Sequence, residues 1–373
     1  MKIIYIANSF IPSRMANSIH VMKMCQAMVA LGHELTLLTF SSLIDEEQGV
    51  DDVFEYYGVN TKFKIKKISL KKIKGKMHFF AMEAIKYCKS QNPDLVYTRC
   101  EIPALYLSLT ALPFVVEAHK PFIDQAGFLK PLFKRLFLAK NLKRFVAISS
   151  ALKQMFLKHF EPGQFNSMVL HDAADFVKKT DERSIQWQGR NDVLQLGYFG
   201  HLYQGRGVEL IIEAAEQLPA VDFQIIGGQK QDVRYWQDEA AHLDNIYFYG
   251  FVNPSDVPNY RSKCDVLLAP YQREVWVANK GHESSKYMSP LKIFEYMSSR
   301  RCIICSDIPV LREVLNSKNA NLVSPDNVRE WIEAIRLCEK EEYRKKFADE
   351  AYRNFIERYT WDKRAELALK GVV

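Results

Sequence analysis

The sequence predicts two doubly wound α/β domains facing each other across a cleft, and three observations lead there. Short, continuous apolar runs alternate with helical patterns almost from end to end, as strands of parallel sheets covered on both faces do. The alternation lapses over a polar stretch, residues 181–191, and restarts at Leu194. At 373 residues the chain is long for one core, and with 48% hydrophobic and 25% charged residues it can fill two. The expected domains are residues 1–185 and 190–358.

Residues 3–7 are apolar without interruption and open the first domain as a buried strand. A helix is expected over 18–31, with Asn17 or Ser18 suited to its N-cap and Gly32 to its end. Strands are expected over 34–40 and 62–70. A helix over 76–90 stops before Asn92-Pro93, and strands follow over 95–98, 114–118 and 144–148. A helix over 149–160 completes the domain. In the second domain a strand from Leu194 runs into Gly200, with a helix over 208–217 and strands over 222–226, 246–249 and 266–268. Ser289-Pro290 disfavours helix before it and opens one at Leu291. A strand over 302–305 and helices over 328–339 and 342–358 finish the domain. Ligands of such folds bind where the C-terminal ends of the strands face the cleft.

Composition narrows the function. No apolar run approaches the roughly 20 residues needed to span a bilayer, and the N-terminus reads as a strand rather than a secretion signal. Seven scattered cysteines point to a reducing cytosol rather than a disulfide framework. Cys302 and Cys305 form a C-x-x-C, but inside a strand pattern, where packing is the simpler reading. The net charge of +7 is uneven: residues 1–190 carry +10 and residues 191–373 carry −3. Eight lysines lie between Lys62 and Lys76. From Leu129 to Arg144 basic residues interleave with Leu132, Phe133, Leu136 and Phe137 at helical spacing. That pattern suits an anionic membrane surface or an ordinary solvated helix face. No nucleic-acid-binding signature accompanies the charge, and no nucleic-acid partner is expected.

Two segments carry the chemistry. In Ser289-Pro290-Leu291-Lys292-Ile293-Phe294-Glu295 the helix start offers free N–H groups to an anion. Lys292 adds a point charge in the first turn, and Glu295 lies one turn on, where a carboxylate accepts from sugar hydroxyls. A capped helix with a Lys–Glu pair would look the same. Gly200-His201-Leu202-Tyr203-Gln204-Gly205-Arg206-Gly207 follows a strand and opens a helix, so backbone and the Arg206 fork can approach a phosphate. Its spacing is not the dinucleotide G-x-G-x-x-G. Arg206 and Lys292 together make a two-cation clamp for a diphosphate. His201 shares the Arg206 loop. In the first domain His119 ends a strand facing the cleft, and Asn17, Ser18 and His20 occupy the first strand–helix turn. No His or Cys pair has zinc spacing and no Asp-x-Asp occurs, so neither a metal nor a cofactor is expected. Hydrolase and P-loop motifs are missing as well.

The ordered set of segments resembles the retaining glycosyltransferases of family 4, with the GT-B fold of two Rossmann-like domains. Its carriers are Ala16-Asn17-Ser18-Ile19-His20-Val21, Glu117-Ala118-His119, Val146-Ala147-Ile148-Ser149, Gly197-Tyr198-Phe199-Gly200, Tyr249-Gly250-Phe251-Val252, Asp265 to Pro270, Ser289 to Met297, and Ser306-Asp307-Ile308-Pro309. The resemblance implies that Arg206 and Lys292 hold the donor diphosphate, with Gly200, His201, Ser289, Pro290 and Leu291 beside it. It places Glu295 at the ribose, Phe251 and Val252 at the base, and His119 at the reacting sugar. A last helix from Tyr359-Thr360-Trp361, within residues 359–373, would cross back onto the first domain. The chain departs from the family where a Glu eight residues before Glu295 is replaced by Tyr287, where His201 stands for an Arg, and where Ala16-Asn17 stand for Gly-Gly.

The implied function is sugar transfer from a nucleotide-diphosphate donor to a hydroxyl of a glycan or lipid-linked acceptor, with retention. The setting is surface polysaccharide synthesis in the cytoplasm or on the inner membrane face. Alternatives are a non-catalytic nucleotide-sugar-binding subunit, suggested by Tyr287, and a GT-B-like epimerase.

Overall fold

A computed structural model describes residues 1–41, 46–69, 75–177, 185–276 and 283–372. Lys71, Lys72 and Lys74 of the lysine-rich stretch, and the first part of the expected 181–191 break, lie outside the described residues. The chain divides into two compact units: Met1–Asp172 with Tyr287–Ser289 and Trp361–Val373, and Ala173–Lys286 with Pro290–Thr360.

The first unit holds a parallel sheet built from β1 (Lys2–Phe10), β2 (Glu34–Ser41), β3 (Lys64–Ser69), β4 (Leu95–Thr98), β5 (Phe114–Ala118), β6 (Leu142–Ala147) and β7 (Ser167–Val169). Their order is β3-β2-β1-β4-β5-β6-β7, so the winding reverses between β1 and β4. Helices α1 (Ala16–Ala30), α2 (Val53–Tyr56), α3 (Lys76–Gln91), α4 (Glu101–Leu107), α5 (Lys130–Phe137) and α6 (Ser150–Leu157) connect them. Ile3, Ile4, Tyr5 and Ile6 of β1 are all buried, because helices cover both faces of a central parallel strand. Edge strand β3 instead exposes Lys64, Lys66 and Lys67 and half-buries Ile65 and Ile68. Charged side chains on an unpaired edge discourage pairing with another chain, so part of the lysine-rich stretch has a structural reason.

The helix expected from Leu129 to Arg144 is shorter. It ends at Phe137, and Lys143 and Arg144 lie in β6. Phe137 closes it by packing into an aromatic cluster with Phe145, Phe156, Phe160 and Phe165 at 4.9–5.6 Å. Arg144 does structural work: its guanidinium donates to the carbonyls of Leu367, Ala368 and Lys370, at the C-terminal end of the chain's last helix, Trp361–Leu369. A cation there meets carbonyls left without helical partners.

The second unit repeats the plan. Strands β8 (Leu194–Phe199), β9 (Val221–Ile226), β10 (Ile246–Gly250), β11 (Val266–Ala269), β12 (Cys302–Ser306) and β13 (Asn321–Val323) lie in the order β10-β9-β8-β11-β12-β13. They alternate with α7 (Val208–Gln217), α8 (Lys230–Glu239), α9 (Val257–Ser262), α10 (Leu291–Ser298), α11 (Val328–Leu337) and α12 (Glu341–Arg358). The last helix, α13 (Trp361–Leu369), belongs to the first unit and packs on α1. The chain leaves the first unit after Asp172, earlier than the expected boundary at 185–190. Ala174 donates its N–H to the Tyr359 carbonyl and Phe176 packs on Phe355, both in the second unit. Cys302 is buried in β12 with its sulfur 3.7 Å from Cys338, and Cys305 is buried beside it.

Candidate functional site

In the second unit the winding reverses between β8 and β11, and the strands part after Leu267↔Gly197. The buried Tyr296 of α10 bridges the gap: its hydroxyl accepts from the Phe199 N–H at 3.0 Å and donates to the Leu268 carbonyl at 3.1 Å. One side chain thus fixes α10 to both strands at the crevice where open α/β sheets take ligands. Pro290 caps α10 in extended conformation and Leu291 is its first residue, where the sequence places the start.

Lys292 therefore enters the crevice from the first turn of α10. Its Nζ lies 3.9 Å from the ring centre of Tyr198 and 5.1 Å from that of Tyr271. A Cβ on Gly200 would come within 3.0 Å of that Nζ, and Gly200 sits at φ +146°. Glycine here leaves the space the ammonium uses. Arg206 stacks on the other aromatic, 5.5 Å from the Tyr271 ring centre, and its Nε is buried without a hydrogen-bond partner. Its neighbour Gly207 caps α7 at φ +79°, where a Cβ would overlap the Pro270 carbonyl. Burial and the Arg206 charge hold the Lys292 ammonium well below the usual lysine range. Burial, Arg206 and Lys292 likewise lower His201 to about 4. His201 is thus neutral, its ring stacked on Tyr203 at 4.8 Å. The crevice concentrates positive character: among the described residues no carboxylate forms an ion pair with Lys292 or Arg206, and the charge of Glu295 only partly offsets the burial of Lys292.

Glu295 lies one turn beyond Lys292, with its side chain 30% exposed. Arg261, from α9, donates to its Oε2 at 2.9 Å and is itself buried. Sequence reading missed Arg261: α9 is six residues long, with a proline in its first turn. Phe251 and Val252 follow β10, half-buried. Ser289 departs from expectation. It groups with the first unit and is buried, its hydroxyl accepting from the Asp172 N–H at 2.8 Å. Tyr287 is also buried in the first unit, among its apolar side chains, and its carbonyl accepts from Ser149.

In the first unit α1 begins at Ala16 with Met15 as cap, so neither Asn17 nor Ser18 is the N-cap. Asn17 is exposed in the first turn. Ser18 is fully buried. Its hydroxyl bonds the Ser13 and Met15 carbonyls and the Tyr57 hydroxyl, so it braces the β1–α1 turn and is closed to a ligand. His20 is also buried, with Nδ1 2.9 Å from Asp172 and its ring edge-on to both His119 and Trp361.

His119 follows β5 with its side chain 23% exposed, and its Nε2 lies 2.5 Å from the Glu117 carboxylate. Burial and Arg99 outweigh Glu117 and lower His119 to about 3, so the ring is neutral at ordinary pH. Burial pushes the Glu117 carboxyl up, but Arg364, His20 and His119 bring it well below the usual range. His20, Glu117 and His119 place their ligating atoms within 4.8 Å of one another, a grouping no local spacing in the sequence reveals. A cation fits poorly there, because Arg364 at 3.0 Å and Arg99 at 3.8 Å already bring positive charge to Glu117.

Residues 18–164 match the family described as Glycosyltransferase Family 4, and residues 194–340 the family described as Glycosyl transferases group 1. The chain belongs with the GT-B glycosyltransferases. Its sheets and windings resemble those of sucrose-phosphate synthase from Thermosynechococcus elongatus (TM-score 0.72, 14% identity, 98% of this chain and 97% of that one). They also resemble a glycosyltransferase from Rickettsia africae (0.72, 14%, 99% of each) and Anabaena HepE, solved with UDP and glucose (0.69, 16%, 98% of each). At these identities the likeness establishes the fold. TuaH of Bacillus subtilis (strain 168), described as a teichuronic acid biosynthesis glycosyltransferase, is 26% identical over 163 residues. That match covers 44% of this chain and 38% of TuaH, so the chain spans well under half of that relative.

Proposed function

We propose that the chain transfers a sugar from a nucleoside-diphosphate donor to a hydroxyl of a glycan or lipid-linked acceptor, with retention of anomeric configuration, in the synthesis of a surface polysaccharide. The observation that carries this is the pairing of Lys292 and Arg206 beside the α10 N-terminus, with Glu295 one turn on. Fixed cations and free helix N–H groups stabilise the charge that grows on the departing diphosphate. Glu295 accepts from ribose hydroxyls, Phe251 and Val252 flank the base, and His201 lies against the phosphates. The leaving phosphate takes the acceptor proton on the same face, so the reading requires neither a metal nor a strong protein base. His119, neutral, accepts a hydrogen bond from a sugar hydroxyl, and Asn17 belongs to the acceptor side. The partial likeness to TuaH supports the polysaccharide setting.

The test is a panel of sugar nucleotides, read by thermal shift and by slow donor hydrolysis, with Glu295→Ala alongside. A donor that stabilises the wild type and not the variant supports the transferase; the reading fails if no donor stabilises either. Stabilisation without turnover favours a nucleotide-sugar-binding subunit, the reading to which Tyr287 lends support.

The acceptor side is proposed to meet an anionic membrane. No helix among the described residues is long and apolar enough to cross one. However, no Asp or Glu occurs between Asp124 and Glu161, while Phe128 is 90% exposed and Leu132 and Leu138 stand out beside Lys130, Lys134 and Arg135. Lys130→Glu with Lys134→Glu should abolish sedimentation with phosphatidylglycerol vesicles. Undiminished binding would remove this surface from the account, as it would for Lys71, Lys72 and Lys74.

A further inference from the structure

We propose that Glu117 is a positioning residue for His119, and that Arg364 of the C-terminal helix holds Glu117 in place. The proposal rests on the reading of His119 as a group that serves the transferred sugar. The Glu117 carboxylate sits in an expensive place. Glu117 is 1% exposed and Arg364 is 2% exposed. A buried ion pair is weak grounds for stability, since apolar side chains of the same volume often serve as well. Something else should then account for it.

Among the described residues, both oxygens of the carboxylate meet several polar groups. Oε2 receives the Arg364 guanidinium at 3.0 Å and the Tyr97 hydroxyl. Oε1 receives His119 Nε2 at 2.5 Å, with His20 Nε2 at 3.0 Å and Arg99 Nε at 3.8 Å. Arg364 is held in turn by the His171 and Leu170 carbonyls, and His20 by Asp172. Of the residues around this carboxylate, Tyr97, Arg364 and His20 are buried, Arg99 is nearly so, and His119 alone keeps a substantial exposed fraction. The network therefore has one outlet.

At that outlet the geometry selects a tautomer. A carboxylate only accepts, so His119 must donate through Nε2–H, and its Nδ1 carries the lone pair. No hydrogen bond to that Nδ1 is found among the described residues, and the ring is edge-packed by His20 at 4.9 Å. Glu117 thus fixes both the proton and the orientation of the ring, and leaves Nδ1 as an acceptor for a hydroxyl. Arg364 makes α13, far along the chain, part of this arrangement.

The test uses the full chain with nitrogen-15-labelled histidine, where long-range nitrogen–proton correlations separate the two tautomers. His119 in the wild type is expected as the Nε2–H form alone. In Glu117→Gln the amide can present either oxygen or N–H to the ring, so a mixture of tautomers is expected. Donor hydrolysis, read with the sugar nucleotide that stabilises the wild type in the panel above, should fall about 100-fold, the cost of a misplaced reacting group. The double variant Glu117→Gln/His119→Ala should fall no further than His119→Ala, because coupled residues are not additive. If Glu117→Gln folds poorly with Arg364 unpaired, Glu117→Gln/Arg364→Met removes both charges and is read in the same way. An unchanged tautomer, or losses that add in the double variant, would overturn the proposal. Full turnover in His119→Ala would instead sink the reading of His119 in the reaction, while the tautomer still reports on Glu117.

Discussion

At the scale of single residues the candidate site is an electrostatic arrangement that is unfavourable until a ligand arrives. Lys292 has aromatic faces and a guanidinium for neighbours, and its ammonium is held well below the lysine range. The unfolded chain keeps the ordinary value, so above the folded value and up to about 10.4 the unfolded state binds more protons. Stability should therefore rise with pH across that window. On the proposed function a diphosphate beside Lys292 raises that depressed value, so in the pH window between the free and the bound value binding should take up protons and weaken as pH rises. Calorimetry of UDP binding in two buffers of different ionisation enthalpy should show this uptake. Lys292→Met should lose it, together with about 10- to 100-fold in affinity, the worth of a charge-assisted hydrogen bond. Proton uptake unchanged in the variant would place the titrating group elsewhere. Arg261 bears on the same site through Glu295. Arg261→Met should weaken UDP about tenfold and the 2′-deoxyribose analogue hardly at all, if the guanidinium aims the carboxylate at ribose. Lys292, Arg206 and Glu295 are legible in the sequence because each stands in a short segment whose chemistry is local. Arg261 and Arg364 are not, because each acquires meaning from a carboxylate 34 or 247 positions away. Ser18 and His20 mislead for the same reason: nothing nearby says that Tyr57 and Asp172 will close over them.

At the scale of elements the site depends on how α10 is tied to the sheet. The Tyr296 hydroxyl satisfies a backbone donor on β8 and a backbone acceptor on β11, in a place closed to water. Tyr296→Phe leaves both unpaired. The expected loss is about 1–3 kcal/mol of stability, the penalty of a buried unsatisfied group, measured by urea unfolding. UDP affinity should fall with it, because Lys292 and Glu295 ride on the same helix; unchanged affinity would mean that the helix is held by other contacts. The strands and long helices that frame this arrangement were readable from continuous apolar runs and from Pro and Gly punctuation. Those that were missed lacked the signal. In α8 only Trp236 is buried, so no apolar stripe exists to find. In α4 Pro103 lies in the first turn, where it is tolerated but reads as a breaker. The stretch from Leu129 to Arg144 erred the other way. Its helical spacing continues on paper past Phe137, but the aromatic cluster ends the helix and Arg144 turns to serve α13.

At the scale of the whole molecule the two units carry separate cores. The proposed donor groups, apart from Ser289, lie in the second unit, and the cluster around Glu117 in the first. A ligand that binds the native state alone raises stability by RT ln(1 + [L]/Kd), about 2.7 kcal/mol at one hundred times Kd. That gain goes to whatever unfolds together with the site. Hydrogen exchange with saturating UDP should slow in the core strands β8, β9 and β11 and leave β1, β4 and β5 near their free rates. Arg364→Met should do the reverse: it leaves Glu117 buried without its charge partner, a loss of about 3–5 kcal/mol, and exchange should quicken in β5 and α1 while β8 and β11 are spared. Each perturbation therefore controls for the other. If UDP slowed both sheets equally and Arg364→Met quickened both, the chain would unfold as a single cooperative body, and stability could not be assigned unit by unit. If each acts on its own sheet, donor binding and the Glu117–His119 arrangement can be varied independently, which separates a defect in holding the donor from a defect in using it.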